Sequence, residues 1–115
     1  MVDGYLYVAQ NEYHSDSVLK IGRTEREPAV RMEELSGHTG VLGSYRLQFC
    51  ILANSAQALE QSVHGALAEY KISYLREVFR IELSQAIALI LEQHHAGNHV
   101  FRFAINIGQK SGLYT

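Results

Sequence analysis

Long apolar runs are missing from this chain of 115 residues: none approaches the ~18 residues of a membrane-spanning helix, so no membrane partner is expected. No N-terminal stretch has the basic, apolar and small-residue order of a secretory signal. The expected setting is therefore intracellular, the cytoplasm of a cell or of a phage-infected host. Cysteine is almost absent. Cys50 alone excludes an intrachain disulfide and a cysteine-rich zinc site, and its place inside an apolar run reads as a buried structural thiol. Proline occurs once, and no Pro/Gly/Ser-rich linker divides the chain, which reads as one folded unit over 1–115. A strong positive balance is lacking too. The net charge of -2 speaks against a protein that coats nucleic acid without specificity.

What is present is an apolar fraction of 47%, enough for one core. There is also a local clustering of cations. Lys20, Arg23, Arg26 and Arg31 place four of the ten Lys+Arg within twelve residues. Glu25, Glu27, Glu33 and Glu34 interleave with them, so a solvated face and a local positive patch both fit the pattern.

Residues 4–10 and 17–23 are rich in β-branched and aromatic types and flank a polar turn, which predicts a β-hairpin. Alternation puts Leu6, Val8, Leu19 and Ile21 on one face as core. The other face then carries Tyr5, Tyr7, Lys20 and Gly22, an unusual set for plain packing, and a strand glycine often marks a close approach by another group. Pro28 suits the first position of a helix that runs to about Ser36, with Met32 and Leu35 toward the core and Arg31 ~100° around from Met32. Gly37, Gly40 and Gly43 end that helix. Residues 44–53, centred on Leu47, Phe49 and Ile51, predict a third strand. Ser55 is placed to cap a helix through Tyr70, on which Leu59, Val63, Ala66, Leu67 and Tyr70 follow the helical period. A short strand over 77–82 with Val78 and Phe79 follows. Ser84 then caps a helix from about Gln85 to His95, stopped by Gly97. A final strand over 99–107 aligns Phe101, Phe103, Ile105 and Ile107, to be buried on the same sheet or against a second copy of the chain in a homodimer.

Glu60 and His64, four apart, share a helical stripe that suits either a divalent metal or a surface hydrogen bond. No HExxH pattern or third ligand accompanies them. His94 and His95 fit the C-terminal dipole of their helix or solvent.

Gly4-Tyr-Leu-Tyr-Val8, Lys20-Ile-Gly-Arg-Thr24, Pro28 with Arg31-Met-Glu-Glu-Leu-Ser36, Leu59-Glu-Gln-Ser-Val-His64 and Arg76-Glu-Val-Phe-Arg-Ile81 follow one another in an order that resembles a GIY-YIG nuclease domain. The branch resembled is the one found in phage open reading frames and fungal meiotically up-regulated proteins. The resemblance covers 4–82, leaving 83–115 as a C-terminal helix and strand. It implies an α/β (α+β) fold: a small, mainly antiparallel sheet with an N-terminal hairpin and about three flanking helices, here with an extra C-terminal strand. It also implies a metal-dependent endonuclease cutting phosphodiester bonds, with DNA as partner and Mg²⁺ or Mn²⁺ as cofactor. Tyr7 matches the first family tyrosine, Arg31 the helix arginine and Glu60 the metal-binding glutamate. Lys20 stands where the second signature tyrosine is usual, as it commonly does in this branch.

Each residue type suits that chemistry. A carboxylate suits a hard cation that keeps its waters, a guanidinium matches phosphate oxygens, and Tyr7 is expected to relay a proton if a metal or Lys20 lowers its pKa from ~10. Tyr5, Gly22, Arg23, His64 and Glu77 are candidate substrate-contacting residues, with Glu77 also an ion-pair partner for Arg31 or Arg76. His64 is a candidate to replace in space the histidine that some relatives carry where this chain has Leu35. Two other readings stay open: a nuclease-derived module that binds nucleic acid or protein without cutting, and a phosphodiesterase for small or cyclic nucleotides.

Overall fold

The expected hairpin forms from β1 (Gly4–Asn11) and β2 (Val18–Thr24), which pair antiparallel with Tyr7 opposite Gly22. Asn11 shapes the turn. Its side-chain oxygen accepts from Tyr13 N at 2.9 Å, and its carbonyl accepts from His14 N at 2.9 Å. The computed structural model describes residues 3–37, 43–72, 75 and 77–96, and the backbone of 102–105. Gly40, Arg76, Gly97, His99, Phe101 and Ile107 lie outside the described residues, as does the face taken by Phe103 and Ile105.

Helix α1 (Pro28–Ser36) begins at the proline, and β3 (Tyr45–Ala53) returns beside β1. Ser36 ties these elements together: its hydroxyl donates to Met32 O at 2.7 Å and accepts from Tyr45 N at 2.9 Å. Helix α2 (Ala56–Ala66) is capped by Ser55, whose hydroxyl accepts from Ala58 N at 3.2 Å. It ends before the expected Tyr70, and a 3₁₀ turn over Ala68–Tyr70 takes over. Then come β4 (Val78–Arg80), α3 (Leu83–Ala96) and β5 (Arg102–Ile105). Ser84 therefore lies inside the first turn of α3 and does not cap it.

The five strands run β4-β2-β1-β3-β5, antiparallel throughout. The C-terminal strand thus adds to the chain's own sheet, pairing Ile51 with Phe103 and Phe49 with Ile105. No helix among the described residues is long and apolar enough to cross a membrane.

Both faces of the sheet are covered. Leu6, Val8, Leu19, Ile21, Phe49 and Ile51 pack with Leu59 and Val63 of α2 and Ile90 of α3. On the other side Tyr7, Ala9, Leu47 and Cys50 pack against Met32 of α1, with Leu35 at the margin. The Tyr5/Tyr7 face is therefore a second, smaller core. Alternation separates the two faces correctly but does not show that a helix covers the second.

A β-bulge lets β3 serve both cores. Val8 pairs with Phe49 and Ala9 with Leu47, leaving Gln48 as the extra residue. The side-chain phase changes there, so Leu47 joins the α1 core while Phe49 and Ile51 join the other. The three residues on which the strand is centred are thus divided between two faces. Two smaller expectations also change. Ala66 is exposed. His94 is buried, and its Nε2 lies 3.0 Å from the Leu52 carbonyl, so a backbone acceptor on β3 holds it in place of solvent.

Candidate active site at the β1–β2 seam

Register brings Tyr7 against Gly22, and the contact is close. A Cβ added at Gly22 would lie 2.7 Å from the Tyr7 hydroxyl and 2.9 Å from Glu77 Oε1. Both oxygens thus overhang the glycine, and no other residue type leaves room for them. Tyr7 is fully buried. Burial pushes its pKa up, the Arg31 hydrogen bond and charge pull it down, and the charges of Glu77 and then Glu60 push it up again. The balance lies on the raised side, so Tyr7 is a neutral phenol at pH 7. Of the two causes expected to lower it, a metal or Lys20, Lys20 plays no part, its ammonium being paired with Glu77.

Glu77 sits at the site in a way that spacing does not reveal. Its φ of 62° is left-handed, a conformation that costs a non-glycine residue ~1–2 kcal/mol. The carbonyl of Glu77 accepts from Ile21 N at 2.8 Å. Its carboxylate meets Lys20 Nζ at 3.1 Å, with the lysine side chain only 16% exposed. Lys20 is therefore the partner of Glu77, in place of the expected Arg31; Arg76 lies outside the described residues.

Arg31 reaches the site from α1. Its Nη1 donates to Glu34 Oε1 at 3.3 Å, and Glu34 also takes Arg26. Burial opposes the charge of Arg31, but Tyr7 and Glu34 outweigh it and raise its pKa. Arg31 Nε is buried with no hydrogen-bond partner. A buried donor without an acceptor costs ~1–3 kcal/mol, so the guanidinium retains a hydrogen bond to give. Glu34 was missed as a site residue; its spacing of three from Arg31 was the available signal.

Glu60 approaches from α2, on the other side of β2. Its Oε1 accepts from Arg23 Nε at 3.2 Å, and its charge is felt at Tyr7. Arg23 thus joins the site through Glu60. His64, one turn along, donates from Nε2 to the Ile21 carbonyl at 2.8 Å and packs its ring on Phe79, 5.1 Å between centroids. That bond fixes the imidazole beside β2. Tyr5 lies two residues before Tyr7 on the same face, partly buried against the α1 core.

Among the described residues no three His, Cys, Asp or Glu side chains come together as a metal cage. The donor set fits a different kind of ion. Mg²⁺ binds through one or two carboxylates and keeps several waters, and Glu60 provides one such carboxylate.

Comparison with known proteins gives one family. The T5orf172 domain matches residues 4–94, beyond residue 82 and through most of α3. No curated protein matches, and no solved structure matches.

Proposed function

The chain belongs to the T5orf172 domain family, a nuclease-type domain of the GIY-YIG superfamily, and from this we propose that it is a divalent-metal-dependent endonuclease hydrolysing phosphodiester bonds in DNA. The observation that carries the reading is the pairing of a buried neutral phenol, Tyr7, with a guanidinium whose Nε has no acceptor. The Arg31 side chain is 37% exposed, so its guanidinium can be offered to a non-bridging phosphate oxygen. Lys20 adds positive charge on the same face of β2. Tyr7 keeps its proton at neutral pH, so it works as a hydrogen-bonding relay for the attacking water and not as a stored phenolate. Glu60 would hold Mg²⁺ or Mn²⁺. Such an ion, when bound, supplies positive charge opposite the charge developing on phosphate and leaving oxygen. Tyr5, Gly22 and His64 shape the seam around these groups.

The test is incubation of the whole chain with Mg²⁺ or Mn²⁺ and plasmid DNA, RNA and a panel of small and cyclic nucleotides. Nicking of plasmid that Glu60→Gln and Arg31→Gln both abolish is the expected result. Intact substrates throughout would overturn it, and turnover confined to the small nucleotides would reassign the substrate.

One observation favours a second reading. The carboxylates of Glu60 and Glu77 both already carry a cationic partner, as suits a nuclease-derived module that binds nucleic acid without cutting. DNA retention without metal, unchanged by Tyr7→Phe and Glu60→Gln, identifies that case.

A further inference from the structure

We infer that Arg23 is a positioning residue that masks Glu60 until a phosphate draws the guanidinium away, so that metal and phosphodiester bind this chain cooperatively. The inference rests on Glu60 being the metal carboxylate. Three observations support it. Arg23 touches Glu60 through a single Nε–Oε1 contact of 3.2 Å, not through the two-pronged fork that a guanidinium can form. The two partners also differ in exposure: the Arg23 side chain is 41% exposed and that of Glu60 14%. The acid is therefore held in place while the cation remains open to an incoming anion. Finally, Arg23 follows Gly22 on β2 and so projects from the opposite face of the strand, the one from which Glu60 approaches. A phosphate that approaches Glu60 from that face meets the more exposed guanidinium first.

The physics favours exchange. An ion pair of this exposure is weak, whereas a guanidinium bound to phosphate makes charge-assisted hydrogen bonds. A cation 3.2 Å from Glu60 repels a second, doubly charged one. Moving Arg23 to phosphate removes that repulsion and leaves a bare carboxylate. Linkage makes the effect reciprocal: metal tightens phosphodiester binding by the factor by which phosphodiester tightens metal binding.

The experiment measures Mn²⁺ binding to the whole chain by electron paramagnetic resonance, with and without a thymidine dinucleotide joined by a hydrolysis-resistant phosphorothioate. In the wild type the dinucleotide is expected to tighten Mn²⁺ binding roughly 5-fold or more. In Arg23→Gln the free chain should bind Mn²⁺ several-fold more tightly than wild type, and the dinucleotide should add little. Arg23→Lys, which keeps the cation, should restore the wild-type pattern. Thermal melting establishes that each variant is folded. If Arg23→Gln changes neither the Mn²⁺ affinity nor its dependence on the dinucleotide, while Glu60→Gln abolishes binding, Arg23 is only a strut and the inference falls. If Glu60→Gln leaves Mn²⁺ binding intact, the assignment of the metal carboxylate itself is wrong, and the inference falls with it.

Discussion

Under α2 and α3 the sheet presents leucine, valine, isoleucine and phenylalanine to a wide apolar core, and the buried imidazole of His94 on α3 is tied to the Leu52 carbonyl. Under α1 it presents Tyr7, Ala9, Leu47 and Cys50 against one methionine, with Arg31 at the edge. The same strands build both faces, so the difference lies in what alternation delivers to each side. The wide dry face supplies most of the apolar burial, which dominates stability. The narrow face buries a hydroxyl and brings a guanidinium up to it. That arrangement contributes little packing and places two hydrogen-bonding groups where water is scarce. On the proposed function, stability and chemistry are thus divided between the two sides of one sheet.

This division can be broken most forcefully at Ile90, fully buried on the dry face. Ile90→Ala is expected to cost ~2–5 kcal/mol in urea denaturation while DNA cleavage per folded molecule is retained. On the narrow side, Arg31→Gln is expected to lower cleavage by ~10²–10³-fold, as removal of one preorganised donor does, with the melting temperature close to wild type. Equal loss of stability in the two variants would show that the faces are not divided as described. Ser55→Ala removes the α2 cap on the dry side and should cost ~1 kcal/mol by the same denaturation assay.

The smallest expected effect is a slope. Burial raises the Tyr7 phenol above its ordinary ~10, with Arg31 opposing and Glu77 and Glu60 assisting. Above about pH 10 the unfolded chain therefore loses this proton while the native chain keeps it. The stabilisation is fully present below that pH and declines as pH rises toward the native value. Melting temperature followed from pH 9 upward should fall less steeply in Tyr7→Phe than in wild type. Parallel slopes would show that the buried phenol contributes nothing to the alkaline limb.

Local signals were legible in the sequence. Pro28 marks the start of α1 to the residue, Ser55 caps α2 as its type suggests, and alternation assigns the four hairpin core residues correctly. Much of the site depends on pairs far apart in the chain, which periodicity cannot register. Arg23 finds Glu60 across 37 positions and Lys20 finds Glu77 across 57. His94 looked like a polar helix end because nothing local announces the Leu52 carbonyl, 42 residues away. Gly22 was recognised as a point of close approach, but the approaching groups are the chain's own Tyr7 and Glu77. The left-handed backbone of Glu77 had no cue at all, since glutamate is not a residue that favours it.

The bulge at Gln48 bears on how the chain avoids folding wrongly. A strand with uninterrupted alternation can slide by a residue and exchange its faces wholesale. β3 carries one phase before Gln48 and the other after it, and each phase matches a different helix layer. Sliding it past β1 by one residue would turn Phe49 and Ile51 out of the wide core and bring Arg46 toward α1. Both layers therefore reject the same error, and the extra residue acts as a proofreading mark for strand alignment in the middle of the sheet.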